Sequence, residues 1–260
     1  MKLEYSKGSP VEVELAFDKR LHSYKANDEI VPSATQILGI ISKPALVPWA
    51  LKMGATWLER NMFYDDTSSS KGQGVFHTKG MGLDALIKGV KSAYKTKSGD
   101  ALNIGTLTHD WLEEAIKWKL GQGDAPKKPT HEGVINAVDA FRDWAGENDV
   151  EWISAEEKLY HREFKYAGTV DAIARINGEY CVIDWKTSKA VYPEYYLQVA
   201  AYAKAVEDMK GIAVDATYIL RCDKHTGMFE AVRSIEPAIS ENFKAFLGAK
   251  VLFHRMKELK

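Results

Sequence analysis

Two β-rich runs meet at Asn177-Gly178, and this dipeptide constrains the fold more than any other feature of the chain. Asn-Gly supplies the two positive-φ residues of a type I′ turn, which joins antiparallel strands and sets their register. Ile176 then pairs with Glu179, and every cross-strand pair sums to 355. Asp171 and Asp184 satisfy that sum. The register therefore predicts the two acids directly opposite each other, with Cβ atoms about 4.5–5.5 Å apart. Like charges so placed repel, and the apolar neighbours Val170, Ala172, Ile173, Val182 and Ile183 add a desolvation cost. A divalent cation between the carboxylates removes both penalties. Lys186 follows Asp184 by two residues and so shares its face. The plainer alternative is an ion pair of one acid with Lys186 or Arg175 and no bound metal. An oxygen-rich site of this kind suits Mg²⁺ or Mn²⁺ better than zinc.

The composition permits a real core but offers no partner by itself. The 260 residues are 45% hydrophobic, and 35 Lys+Arg against 36 Asp+Glu leave a net charge of −1. Any surface for nucleic acid must then be local. One such patch exists: residues 71–97 hold Lys71, Lys79, Lys88, Lys91, Lys95 and Lys97 against Asp84 alone. It reads either as a solvated helix face or as a basic groove, with Phe63, Tyr64, Phe76 and Tyr94 nearby to stack on a single strand. Cys181 and Cys222 are too few for a four-cysteine iron–sulfur cluster or a disulfide framework. No signal-peptide pattern opens the chain and no apolar window spans a bilayer, so a cytoplasmic protein with no membrane partner is expected.

The expected elements are short strands over the first 31 residues and a helix opened by Ser33. A helix after Pro48, a polar loop over 62–80, and separate helices over 81–95, 101–119 and 131–147 follow. Strands over 153–161, 166–176 and 179–187, a helix over 193–208, a hairpin of 213–222 with 228–235 and a terminal helix from 237 complete an α/β pattern with a mixed sheet. The division expected is an N-terminal, mainly helical extension over 1–100 and a core over 101–260.

Asp171 followed by Asp184-Trp185-Lys186 resembles the signature of the PD-(D/E)XK nuclease superfamily, and the surrounding pattern is similar to its RecB-type exonuclease branch. Gly105-Thr106-Leu107-Thr108-His109 matches the branch's Gly-x-x-x-His helix, and Gln198-Val199-Ala200-Ala201-Tyr202 matches its Gln-x-x-x-Tyr helix. Ala167-Gly168-Thr169-Val170-Asp171 and Asp184-Trp185-Lys186-Thr187-Ser188 also match. Val31-Pro32-Ser33-Ala34-Thr35-Gln36-Ile37-Leu38 resembles mitochondrial genome maintenance exonucleases and their phage relatives.

The resemblance implies a restriction-endonuclease-like core with a central mixed sheet flanked by helices, and Mg²⁺-dependent hydrolysis of DNA from a strand end. His109, Asp171, Asp184 and the main-chain carbonyl of Trp185 would hold Mg²⁺, with Mn²⁺ as a substitute. Lys186 would orient the attacking water and stabilise developing negative charge. Gln198 and Tyr202 would support the lysine and the DNA, and Glu156 matches a family acid on the first core strand. Glu113, one turn from His109, either orients that imidazole or is surface charge. Ser33, Thr187 and Ser188 join Lys71, Lys79, Lys88, Lys91 and Lys95 as expected DNA contacts. Implied partners are a single strand or duplex end and a single-strand-binding or recombination protein, in a bacterial or phage-infected cell. The rival readings are a flap-type endonuclease, a non-catalytic DNA-binding module on the same fold, and a hydrolase of small phosphoesters.

Overall fold

The computed structural model describes residues 2–3, 5, 13–18, 20, 23–65, 75–224 and 226–259, with backbone alone at 75, 96–98 and 100–102. The chain divides into two units, Met1–Ile41 with Ile104–Lys260, and Ser42–Asn103. In the larger unit β1 (Lys2–Leu3), β2 (Val13–Asp18), β3 (Ser23–Ala26) and β4 (Glu29–Val31) form an antiparallel sheet in chain order. Strand alternation buries Val13 and Leu15 and exposes Glu14 and Ala16. A short helix follows, α1 (Ala34–Leu38), capped by Ser33. The N-terminal strands and α1 thus fall in the larger unit.

The smaller unit holds α2 (Leu46–Asn61), a ribbon of β5 (Phe63–Asp65) with β6 (Val75–His77), and the start of α3 (Leu83–Lys119). Gly89 admits the indole of Trp57, since a Cβ there would stand 2.1 Å from the ring. Two expectations are corrected. Pro48 lies inside the first turn of α2, where its missing N–H costs nothing, so the helix begins before it. The helices expected over 81–95 and 101–119 are one helix of 37 residues. The stretch between them holds one glycine, Gly99, and a single helical glycine costs only about 1 kcal/mol.

The rest of the larger unit comprises the remainder of α3, then α4 (Glu132–Glu147), β7 (Val150–His161), β8 (Tyr166–Ile176), β9 (Glu179–Lys186), α5 (Pro193–Lys210), β10 (Ala216–Cys222), β11 (Phe229–Ser234) and α6 (Ala238–Glu258). The sheet runs β11-β10-β9-β8-β7 and is mixed, with β9 and β10 parallel and the other neighbours antiparallel. Helices cover both faces. On one, Val182, Ile173 and Ile219 pack with Val199 and Val206 of α5 and Phe246 of α6. On the other, Ile183, Trp185 and Leu220 pack with Leu112 and Ile116 of α3 and Phe141 and Trp144 of α4.

The Asn177-Gly178 turn has both residues at positive φ, 52° and 86°. Pairing runs in the predicted register from Ile176↔Glu179 to Ala172↔Ile183, and the ladder ends there. Asp171 and Asp184 are the next positions along the two strands, just beyond the last paired residues.

Candidate active site

The end of that ladder gathers the polar residues. Where β8 stops pairing with β9, the Trp185 N–H donates instead to Asp171 Oδ2 at 2.7 Å. Asp171 Oδ1 lies 3.4 Å from His109 Nδ1, brought in by α3. Glu156 completes the group: ligand atoms of His109, Glu156 and Asp171 all lie within 4.8 Å of one another. Strand alternation alone does not explain the place of Glu156. The β7–β8 register shifts between Trp152 and Ser154, and Glu156 itself sits at φ 50°. A left-handed residue in a strand re-aims its side chain, as bulges near sites do. The neighbouring Glu157 is instead ion-paired with Lys210.

Asp184 and Lys186 alternate with Ile183 and Trp185, whose side chains belong to the core on the α3 and α4 side. They therefore face α5. Lys186 Nζ lies 2.5 Å from Asp184 Oδ2 and donates to Gln198 Oε1 at 3.3 Å. Gln198 Nε2 donates to Asp184 Oδ1 at 3.2 Å and to the Tyr202 hydroxyl at 3.0 Å. One amide thus holds the lysine, the acid and the tyrosine in a fixed arrangement. Tyr195, three residues before Gln198 on the same helix face, puts its ring centroid 4.9 Å from Lys186 Nζ. Sequence reasoning missed Tyr195, although the spacing Tyr195, Gln198, Tyr202 was available to find it.

Tyr202 is buried, and its ring occupies the space over Gly168: a Cβ there would stand 2.5 Å from Cε1. That contact explains the glycine in Ala167-Gly168-Thr169-Val170-Asp171. The adjacent Thr169 shares a hydrogen bond of 2.7 Å with the Tyr24 hydroxyl from β3, so the N-terminal sheet braces the strand that carries Asp171.

Burial and charge set the protonation states. Burial pushes Glu156 up to about 7, helped by Asp171 and Glu113 and opposed by His109. Burial likewise pushes Asp184 up to about 6, against the pull of Lys186 and with the push of Asp171. Burial works against the charged forms of His109 and Lys186, yet the acids beside them outweigh it and raise both. Burial also opposes the Asp171 carboxylate, but His109 and then Lys186 hold it below its usual value. His109, Glu156 and Asp171 form a set of two carboxylates and one imidazole that could hold a divalent cation, whose charge would relieve the buried acids.

Several expected site residues sit elsewhere or do other work. Ser33 is buried, and its Oγ accepts from Gln36 N at 3.1 Å while Gln36 Oε1 accepts from Ser33 N at 3.0 Å. This reciprocal cap makes Ser33 the helix start that the sequence predicts. Glu113 is ion-paired with Lys117 and does not orient His109. Trp185 contributes its N–H to Asp171 while its indole packs against Phe141 and Trp152. Thr187 and Ser188 leave β9 half-buried, with Thr187 Oγ1 beside Gly105 and Ser188 Oγ donating to Ala190 O. Lys79, Lys88, Lys91 and Lys95 are exposed on the smaller unit. Lys71 lies outside the described residues.

No family model matches the chain. Over 59 residues, 20% of its length, it is 41% identical to mitochondrial genome maintenance exonuclease 1 of Xenopus tropicalis, covering 17% of that protein. Against the Homo sapiens protein of the same name it is 27% identical over 123 residues, which are 45% of this chain and 34% of that one. The matched stretches thus span about a sixth to a third of these relatives. A crystal structure from Eubacterium rectale, of a protein whose name provisionally calls it an exonuclease, superposes on 60% of this chain and 68% of its own at 13% identity. Its TM-score of 0.41 is too slight to bear on the fold.

Proposed function

We propose that the chain is a metal-dependent DNA exonuclease with a PD-(D/E)XK core. The observation that supports this reading is the convergence of His109, Glu156 and Asp171 within 4.8 Å, beside Asp184 and a charged Lys186. A binding module has no use for three carboxylates collected at a desolvated strand end. The partial likeness to proteins named exonucleases points the same way.

His109, Glu156, Asp171 and Asp184, with the Trp185 carbonyl, would hold Mg²⁺ or Mn²⁺. Bound there, the ion supplies Lewis-acid polarisation of a phosphodiester. Lys186, kept as an ammonium, donates to the attacking water and meets the charge that develops on the phosphoryl oxygens. Gln198 fixes the direction of Lys186, and Tyr202 fixes Gln198 in turn. Lys79, Lys88, Lys91 and Lys95 attract the phosphate backbone, so affinity falls as salt rises.

The test is a time course with Mg²⁺ on an end-labelled linear single strand and a closed circle of the same sequence. Lys186→Ala and a chelator lane are the controls. Loss of the linear strand alone, abolished in both controls, is the expected result. Cutting of the circle would make the protein an endonuclease, and binding without cleavage would overturn the catalytic reading.

A further inference from the structure

The smaller unit carries a ribbon in which four of the six residues bear rings. In β5 and β6, Phe63 pairs with His77 and Tyr64 with Phe76. The Phe63 and His77 rings stack at 5.0 Å and 15°, and Tyr64 and Phe76 meet at 5.1 Å and 54°. Successive strand residues point to opposite faces, so each face of the ribbon presents one pair. Yet Phe63, Tyr64 and Phe76 are 50%, 57% and 65% exposed. A ribbon whose rings served only packing would bury one face, because two strands alone are marginal in water. An apolar hollow of about 350 Å³ lies between these rings and Leu58 and Met62 of α2.

We propose that this ribbon is a base-stacking platform for an unpaired nucleic-acid strand. The sequence of the unit carries the matching charge: residues 42–103 contain nine Lys and Arg against five Asp and Glu, in a chain that is −1 overall. Every base offers a π-face, so the platform takes a strand without reading its sequence, while the lysines hold its phosphates. The proposal rests on the nucleic-acid reading above for the nature of its ligand. It adds that the strand is gripped by its bases, on a unit that lacks the catalytic residues.

The experiment titrates an oligothymidine carrying one 2-aminopurine into the full chain with chelator present, and follows quenching of that base. Phe63→Leu and Phe76→Leu keep the apolar surface and remove the π-face. Each weakens binding about tenfold and reduces the quench. Phe76→Trp keeps both. Unchanged affinity and quench in the leucine variants overturn the proposal, as does equal loss in the leucine and tryptophan variants, which marks a packing role. Hydrolysis is measured separately on the unsubstituted chain with Mg²⁺. Its absence there overturns the nuclease reading and leaves the stacking result standing.

Discussion

Asp171 accepts the main-chain N–H of Trp185 at 2.7 Å, at the point where the β8–β9 ladder ends. The carboxylate therefore has two jobs, closing the strands and facing His109. Asp171→Asn keeps an oxygen for the Trp185 N–H and loses the charge, whereas Asp171→Ala loses both. Cleavage should fall to the chelator baseline in both variants. Only the alanine variant should also lose about 1–3 kcal/mol of stability, the cost of an unmet buried N–H. Urea melts without metal, set beside the cleavage assay, separate the two roles.

Gln198 touches Lys186, Asp184 and Tyr202 at once. Removing it leaves the lysine aimed by its ion pair with Asp184 and by the Tyr195 ring. Gln198→Ala should slow single-turnover cleavage about 10–100-fold, the usual effect of losing a group that orients a site, with little change in melting temperature. A variant as fast as the parent would show that Asp184 and Tyr195 suffice.

Folding raises Glu156 to about 7, so the folded chain holds this proton more tightly than the unfolded chain. The stability this group provides is complete below its ordinary value of about 4.5 and is lost as pH rises through about 7. Asp184, raised to about 6, adds a loss of the same sign. The metal-free protein should melt lower at pH 8 than at pH 5 through these groups, roughly by that linkage. Glu156→Gln should flatten part of the slope, and Mn²⁺ should restore the melting temperature at pH 8. Thermal melts across pH, with and without Mn²⁺, check each arm.

Gly168 leaves room for the Tyr202 ring, and a methyl group there would stand 2.5 Å from it. Gly168→Ala should cost about 1–3 kcal/mol, as overpacking does. In a Tyr202→Leu background the same change should cost clearly less, because the two residues share one space. Equal penalties in both backgrounds would place the strain in the backbone instead.

The chemistry was legible in the sequence where it depends on local rules. Asn177-Gly178 determined the hairpin and its register, because the turn type admits one pairing, and strand alternation put Asp184 and Lys186 on one face. Helical spacing put Gln198 and Tyr202 together, whereas the helices expected to stop at 95 and start at 101 are one, because helix continuation depends on summed propensity. Long-range placement was not legible from local rules, and only the resemblance named His109 and Glu156 beside Asp171. Glu156 enters the site through a left-handed residue and a register shift, which no alternation rule anticipates. Ser33 was legible as a helix cap from its place after Pro32, whereas its burial belongs to packing between elements. The distances that let His109 on α3, Glu156 on β7 and Asp171 on β8 converge belong to the tertiary structure alone. Sequence spacing fixes neighbours along one element, whereas packing between elements decides which charges share a desolvated space.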